Sequence, residues 1–234
     1  MTATTHFPKT ALTFMRALRR NNDRIWFGER KSVFESEVQQ PMLALCEAIN
    51  AAMVDFAPEH VRPARKAVMR IYRDTRFSPD KRPYKHQISA WWSRAGMEKT
   101  SGAGYYFHFG SKELVIAAGC YMPQPDQLLA IRRSIAAEPG SLQKIFAGKK
   151  LRTLLPEFDG RPLTRAPKGF APDDPALDLL RCRQWGVGVT LPPEEALKPT
   201  LLREILTRFR IASPLVERLN APFVPKRKGL NTIF

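Results

Sequence analysis

The sequence lacks the features that mark membrane proteins and disulfide-bonded secreted domains. Its 234 residues include only three cysteines, Cys46, Cys120 and Cys182. An odd number of widely spaced cysteines argues against a disulfide framework and a thiolate metal site, so we expect small core residues. There is no run of about 18 apolar residues. The first residues, MTATTHFPKT, lack the basic flank and apolar core of a signal peptide. We therefore expect a cytoplasmic protein without a membrane span.

The common sequence signatures of catalysis are also missing. There is no GxxxxGK[ST] phosphate loop, no GxSxG nucleophile elbow and no HExxH zinc helix. Gly102 and Gly104 begin a glycine pattern, but the third glycine of a dinucleotide loop is absent and the aromatic stretch YYFHF follows where a helix is required. We expect no cofactor and no metal site. Whether the protein is an enzyme, and its oligomeric state, stay open at this level.

Positive charge is what the sequence has in excess. It contains 38 lysines and arginines against 22 aspartates and glutamates, a formal net charge of +16. Such a surface attracts phosphate polyanions, which makes a phosphate-bearing ligand or nucleic acid a candidate partner. A general bias toward arginine on a solvated surface explains the same number, because net charge informs on nonspecific attraction and not on a site.

Apolar spacing predicts helices at both ends of the chain. Leu12, Met15 and Leu18 recur at three-residue steps between residues 10 and 20. Asp23 is placed to cap a second helix, and the apolar stripe that follows must be kinked or divided at Pro41. Further helices are predicted from Asp126, at 141–147, at 175–181, at 197–211 and at 214–220.

Between these helices the apolar period changes to two, which predicts β-strands. We expect strands at about 67–73, 86–93, 104–109, 114–121 and 184–191. The short link 110–113 requires antiparallel pairing. The proline-rich segment 155–175 is predicted to be a long irregular connection. The resulting fold is α+β, with a mainly antiparallel sheet of about five strands packed against N- and C-terminal helices in a single domain, 1–234. Residues 222–234 are expected to be a flexible basic tail.

The densest charge lies in residues 70–87, RIYRDTRFSPDKRPYKHQ. If 67–73 is a strand, alternation places Arg70 and Tyr72 on one face. The same alternation in the neighbouring strands adds Gln87, Tyr106 and His108, which together form a polar lining suited to an anion. The turn that follows would supply a basic rim of Arg73, Arg76, Lys81, Arg82 and Lys85.

Three functions remain open. The first is a module that binds a phosphate-bearing ligand or nucleic acid, with Tyr84 or Trp91 as a stacking surface. Its predicted ligand-binding residues are Arg70, Tyr72, Arg73, Asp74, Arg76, Asp80, Lys81 and Tyr84. The second is a hydrolase or transferase acting on a phosphorylated small molecule, with Asp74 or His108 as base. The third is a structural or protein-interaction domain in which Asp74 and Asp80 neutralise the basic residues in an internal salt-bridge network.

The spacing of this segment resembles the signature of a family of bacterial proteins of unknown function, which also occurs inside longer fungal proteins. The residues that carry the resemblance are Arg70-x-x-Arg73-Asp74-x-Arg76-Phe77-x-x-Asp80-Lys81-x-x-Tyr84, with NNDRIWF at 21–27, PKGF at 167–170 and DDPALDLLR at 173–181. It extends over nearly the whole chain. Asp174 stands where the family more often has histidine, so no imidazole role is implied there. The resemblance implies that the motif is one unit, and it implies no particular activity.

Overall fold

Helices precede the first strand and follow the last strand in the described part of the chain. The structure, a computed structural model, describes residues 5–97 and 102–224. Its α-helices are α1 (Lys9–Arg20), α2 (Arg24–Glu29), α3 (Lys31–Val33), α4 (Gln40–Met53), α5 (Ala64–Ala67), α6 (Pro125–Ala137), α7 (Pro139–Ala147), α8 (Lys149–Leu154), α9 (Leu177–Leu180) and α10 (Leu201–Asn220). The Asp23 side chain accepts a hydrogen bond from the Trp26 amide and so caps α2, as its position in the sequence predicted.

Five antiparallel strands form one sheet. They are β1 (Gln87–Ser93), β2 (Ala103–Gly110), β3 (Leu114–Cys120), β4 (Glu157–Asp159) and β5 (Trp185–Leu191), in the spatial order β1-β2-β3-β5-β4. Each neighbouring pair is antiparallel. The predicted α+β class is therefore confirmed, with helices from both ends of the chain packed on the sheet.

One face of the sheet packs on the helices. The Tyr105 hydroxyl donates to Ser213 of α10, and the Trp92 indole donates to Asn50 of α4. Phe209 of α10 packs on both aromatic rings, at 5.6 Å from Trp92 and 4.9 Å from Tyr105. Alternation then places the neighbouring residues of β1 and β2 on the opposite face. We call these the helix-covered face and the cavity face.

The predicted first strand, 67–73, is wrong. Ala67 ends α5, and residues 68–86 contain only two isolated bridges, Val68 with Ala90 and Tyr72 with Tyr84. The Met69 amide still donates to the Ser89 carbonyl of β1, but the chain then turns back on itself, and the Arg73 amide donates to the Pro83 carbonyl. Residues 70–86 therefore form a loop that leaves the sheet and folds back, which we call the excursion. Its residues 71–73 pair with residues 83–85 and not with a neighbouring strand.

Two other expectations need correction. The segment 155–175 is not irregular throughout, since its residues Glu157–Asp159 form the edge strand β4. The last two predicted helices are one helix, α10, with Pro214 inside it. Proline can remain in a helix when packing on both sides holds the axis, and the flanking Ser213 and Leu215 are both buried.

Pro41 divides the long apolar stripe, as predicted. A π-helical stretch, Phe34–Gln39, joins α3 to α4, and Pro41 is the second residue of α4. Proline has no amide hydrogen to donate one turn back, and its ring crowds the carbonyl there, so the turn before it widens.

Within the described residues, no helix combines the length and hydropathy needed to cross a bilayer. All three cysteines are buried, as predicted, and burial raises the pKa of the Cys46 and Cys120 thiols to about 12. Most of the predicted basic tail, residues 225–234, lies outside the described residues.

Candidate functional site

The two aspartates of the charged segment are both bound by arginines of the same segment. Asp80 accepts hydrogen bonds from Arg73, at 2.6 Å, and from Arg82, at 2.7 Å. Asp74 is held by Arg76 through two side-chain contacts, of 3.1 and 2.8 Å. These hydrogen bonds lower the pKa of Asp74 to about 2 and hold the pKa of Asp80 well below its usual range. Asp74, one candidate base, is therefore already committed to Arg76.

The remaining residues of the segment fix its shape. Lys81 donates to the Thr75 carbonyl, and the buried Tyr84 ring stacks on Phe27 with 4.1 Å between centroids. Asn22 holds the Tyr84 backbone at both its amide and its carbonyl. This geometry gives Arg73, Arg76, Lys81 and Tyr84 a structural part. The ligand-binding role predicted for them stays a prediction.

The predicted polar lining is divided between two cavities. Arg70 and Tyr72 line a cavity of about 370 Å³ beside α3 and α5. Gln87, Tyr106 and His108 line another on the cavity face of the sheet. The expectation that all five share one face is wrong, because the chain leaves the sheet after Met69 and the alternation of β1 no longer applies to it.

The cavity on the cavity face is the larger, at about 720 Å³, and we call it the sheet-face cavity. Its floor consists of small residues on the central strands β3 and β5. Trp91, Tyr106 and His108 from β1 and β2 form one side, and Glu157, Phe158 and Asp159 of β4 form the other. The floor residues are Ala117, Gly119, Gly186 and Gly188. Small side chains leave the backbone of the strands uncovered, so a flat molecule can lie directly on the sheet.

The close approach of neighbouring atoms requires glycine at two nearby positions. Gly119 has φ of 131°, and a Cβ there would lie 2.1 Å from the Trp185 carbonyl oxygen. A Cβ on Gly104 would lie 2.3 Å from the Trp92 carbonyl oxygen and 3.0 Å from the Trp91 ring. Gly104 therefore allows the Trp91 indole to lie against β2, and so fixes one wall of the cavity.

Three buried nitrogens in the cavity lining have no hydrogen-bond partner among the described residues. They are Trp91 Nε1, His108 Nε2 and Gln184 Nε2. Their residues are only 8%, 6% and 2% exposed. Buried donors are normally paired, since each unpaired one costs roughly 1–3 kcal/mol. An apolar cavity whose lining carries unpaired buried donors is the usual form of a small-molecule site.

His108 lies between an acid and a phenol. Its Nδ1 is 3.1 Å from the Tyr106 hydroxyl, and its Nε2 is 3.4 Å from Glu113 Oε1, within ion-pair distance but not aligned as a hydrogen bond. Burial lowers the pKa of His108, and Glu113 opposes that shift. A neutral ring with its proton on Nε2, facing Glu113, accepts the hydrogen bond of Tyr106 at Nδ1. This arrangement can take a proton and stabilise the imidazolium that forms.

Other residues singled out in the sequence lie elsewhere. Asp174 Oδ1 accepts from the Ala176 amide at the start of α9, and so serves as a local cap. Sequence reasoning missed Gln184, Glu157 and Asp159. One available signal was the alternation in WGVGVTL, residues 185–191, which places Gly186 and Gly188 on the same face of β5.

The family model described as "Conserved hypothetical protein (DUF2461)" matches residues 10–217. The chain belongs to this family. The resemblance inferred from the sequence is thereby confirmed at the level of the family, which has no assigned function. No curated protein and no solved structure matches the chain.

Proposed function

We propose that the chain binds a small, flat, largely apolar molecule with hydrogen-bond acceptors in the sheet-face cavity. The observation that carries the proposal is that two residues of the cavity lining, Trp91 and Gln184, have buried donors, Nε1 and Nε2, without a hydrogen-bond partner among the described residues. A ligand that accepts both hydrogen bonds removes their desolvation cost, so these donors select ligands with acceptors over plain apolar ones.

The volume and lining support a ligand of one to three rings. About 720 Å³ is within the range of ordinary ligand sites. The glycine and alanine floor offers a flat surface, and the Trp91 and Tyr106 rings, 6.2 Å apart, offer an aromatic side. The acidic side chains of β4, Glu157 and Asp159, disfavour an anionic group at that side.

Two bicyclic probes of similar size test the proposal. Quinazolin-4-one has two acceptors on its heterocyclic ring, a carbonyl oxygen and a ring nitrogen, whereas indole has only a hydrogen-bond donor. Saturation-transfer NMR with the full chain should show quinazolin-4-one bound about tenfold more tightly than indole, because only the former can satisfy the buried donors. Equal affinity for the two probes, or binding of neither, contradicts the proposal.

The variant Gln184→Leu separates a binding role from a structural one. Removing an unpaired buried donor should raise the free energy of unfolding of the free protein by about 1 kcal/mol, while weakening quinazolin-4-one about tenfold. Gln40→Leu, the same change at an exposed position of α4, is the control for added apolar surface. Loss of stability in Gln184→Leu, with binding unchanged, would assign Gln184 to the core.

An acid–base reaction in this cavity is the second candidate. The predicted hydrolase or transferase had Asp74 or His108 as its base. Asp74 is bound to Arg76, whereas His108 lines the cavity between Glu113 and Tyr106. The contacts of His108 therefore favour it as the base of any such reaction.

The phosphate-bearing ligand or nucleic acid predicted from the charged segment also stays a proposal, as does the cytoplasmic location. Arg73, Arg76 and Arg82 are paired with aspartates, which lowers their capacity to bind another anion. Arg70 has no such ion pair among the described residues. A phosphate site therefore has its best support at Arg70.

A further inference from the structure

A second cavity combines positive charge with an aromatic wall. It measures about 370 Å³ and lies between α3, α5 and residues 68–72. Three cationic residues line it, Lys31 of α3, Arg65 of α5 and Arg70. Arg65 and Arg70 are close in the chain, whereas Lys31 lies far from them in the sequence and is brought to them by the tertiary fold. We call this cavity the cationic cleft.

The charge of the cationic cleft is not balanced by its own lining. Glu35 is the one carboxylate in that lining, and it lies 3.7 Å from Lys31 Nζ. In the described parts of the chain, Arg65 and Arg70 form no ion pair with a carboxylate. The three arginines of the neighbouring turn behave differently, since each is paired with Asp74 or Asp80. The cleft therefore carries more positive than negative charge in its own lining.

The apolar side of the cleft consists of packed aromatic rings. Phe27 and Tyr72 line it, with 6.4 Å between ring centroids, and the buried Tyr84 stacks beneath Phe27. Tyr72 is 49% exposed, so its ring is accessible to a ligand. Guanidinium groups beside an aromatic face suit a molecule that has an anionic group attached to a ring.

We propose that the cationic cleft binds the phosphate monoester of a small ring-containing molecule, with Arg65 and Arg70 on the phosphate and Tyr72 on the ring. The guanidinium fork matches two phosphate oxygens at once, and a cavity near the lower limit of ligand sites favours a small molecule over a polymer. Met69 lines both cavities and separates this site from the sheet-face cavity. The inference does not depend on the function proposed for that cavity.

Phenyl phosphate is the probe, and inorganic phosphate and phenol are its two halves. Isothermal titration of the full chain should show one site for phenyl phosphate, bound about tenfold more tightly than inorganic phosphate, because only the ester also contacts Tyr72. Phenol should show no measurable heat. Arg65→Ala and Arg70→Ala should each weaken phenyl phosphate about tenfold.

Arg203→Ala is the charge-matched control. Arg203 is an exposed residue of α10 outside the cleft, so its removal lowers the net charge equally and should leave the affinity within about twofold. Equal weakening in all three variants would show general attraction and overturn the proposal. Weak binding of phenyl phosphate without a defined stoichiometry would also overturn it. The same holds if the chain prefers a single-stranded oligonucleotide to phenyl phosphate and Arg203→Ala weakens that binding as much as the cleft variants do.

Gly186→Val distinguishes this proposal from the function proposed for the sheet-face cavity. The valine side chain would enter only the sheet-face cavity, which Gly186 lines. A Cβ at this position would have the Asp159 carbonyl oxygen as its nearest atom, at 3.8 Å. Quinazolin-4-one binding should fall in this variant, whereas phenyl phosphate binding should be unchanged. Loss of phenyl phosphate binding in Gly186→Val would place the phosphate ester in the wrong cavity and overturn the inference.

Discussion

Residues of the same type differ in their roles in this protein, because their neighbours differ. Arg73 is half-buried and bound to Asp80, whereas Arg70, three positions earlier, lines the cationic cleft without a carboxylate partner in the described structure. Trp92 donates its indole proton to Asn50, whereas the adjacent Trp91 keeps its own unpaired on the cavity face. Function is therefore better sought at Arg70 and Trp91, whose side chains form no ion pair or hydrogen bond with the described residues.

At this scale, the contacts of His108 predict its titration. Burial lowers its pKa, so the ring is neutral near pH 7. The variant Glu113→Gln removes the charge of Glu113, which raises this pKa, and the His108 pKa should fall further. Nitrogen-15 NMR of the imidazole should show a proton on Nε2 and an acceptor at Nδ1. A pKa that rises in Glu113→Gln would contradict the assigned contact.

The excursion at residues 70–86 is the element whose structure differs most from the prediction made from the sequence. Its two arms are joined by the Arg73 amide to the Pro83 carbonyl and the Lys85 amide to the Ile71 carbonyl. Asp80 lies at its turn and binds one arginine from each side, Arg73 and Arg82. Asp74 forms its ion pair with Arg76, two residues away, and the charge of Arg70 also acts on it. Asp80 therefore joins the arms, while Asp74 orders a local bend.

Two matched substitutions test this difference within the element. Asp80→Asn should increase amide exchange at Arg73 and Lys85 about tenfold, because the arms lose the carboxylate between them. Asp74→Asn, the same chemical change in the same segment, should affect only residues near Arg76. Hydrogen-exchange mass spectrometry measures both. Equal effects of the two variants would show that Asp80 has no special part.

The whole molecule is a sheet with one face buried under helices and one face that carries a cavity. Strands β1, β2, β3 and β5 come close to the predicted bounds, and their alternation correctly separates Tyr105 and Phe107 from Tyr106 and His108. β4 was not predictable in this way. It has three exposed residues and exists only through its pairing with β5, which follows it by a long connection.

As the pH is lowered, the free energy of unfolding should begin to fall at a higher pH than protonation of carboxylates alone would cause. Burial lowers the pKa values of His60, His86 and His108, so the unfolded chain binds protons more readily than the folded one. The contribution of the neutral buried histidines to stability is complete above their pKa in the unfolded chain, about 6.5, and is lost as the pH falls below that value. Asp74, with its pKa lowered to about 2, stays ionised throughout this window.

Urea unfolding at constant ionic strength measures this effect. The midpoint should be clearly lower at about pH 5 than at about pH 7.5, because histidines that are neutral when buried must be protonated on unfolding. An unchanged midpoint between these pH values, with a fall only below about pH 4, would assign the acid sensitivity to carboxylates instead.

The sequence by itself determined the class of fold and the helix-covered face, whereas it left the ion pairs of the charged segment as one of three alternatives. Periodicity of two or of three to four residues, a cap such as Asp23 and a proline such as Pro41 act within a few residues of chain. Only the tertiary structure decided where the cavities lie. Gln184 and Trp91 line the same cavity, as do Arg65 and Lys31 in the cationic cleft. Each pair is far apart in the sequence, so packing between distant segments places them together and no local sequence pattern predicts it.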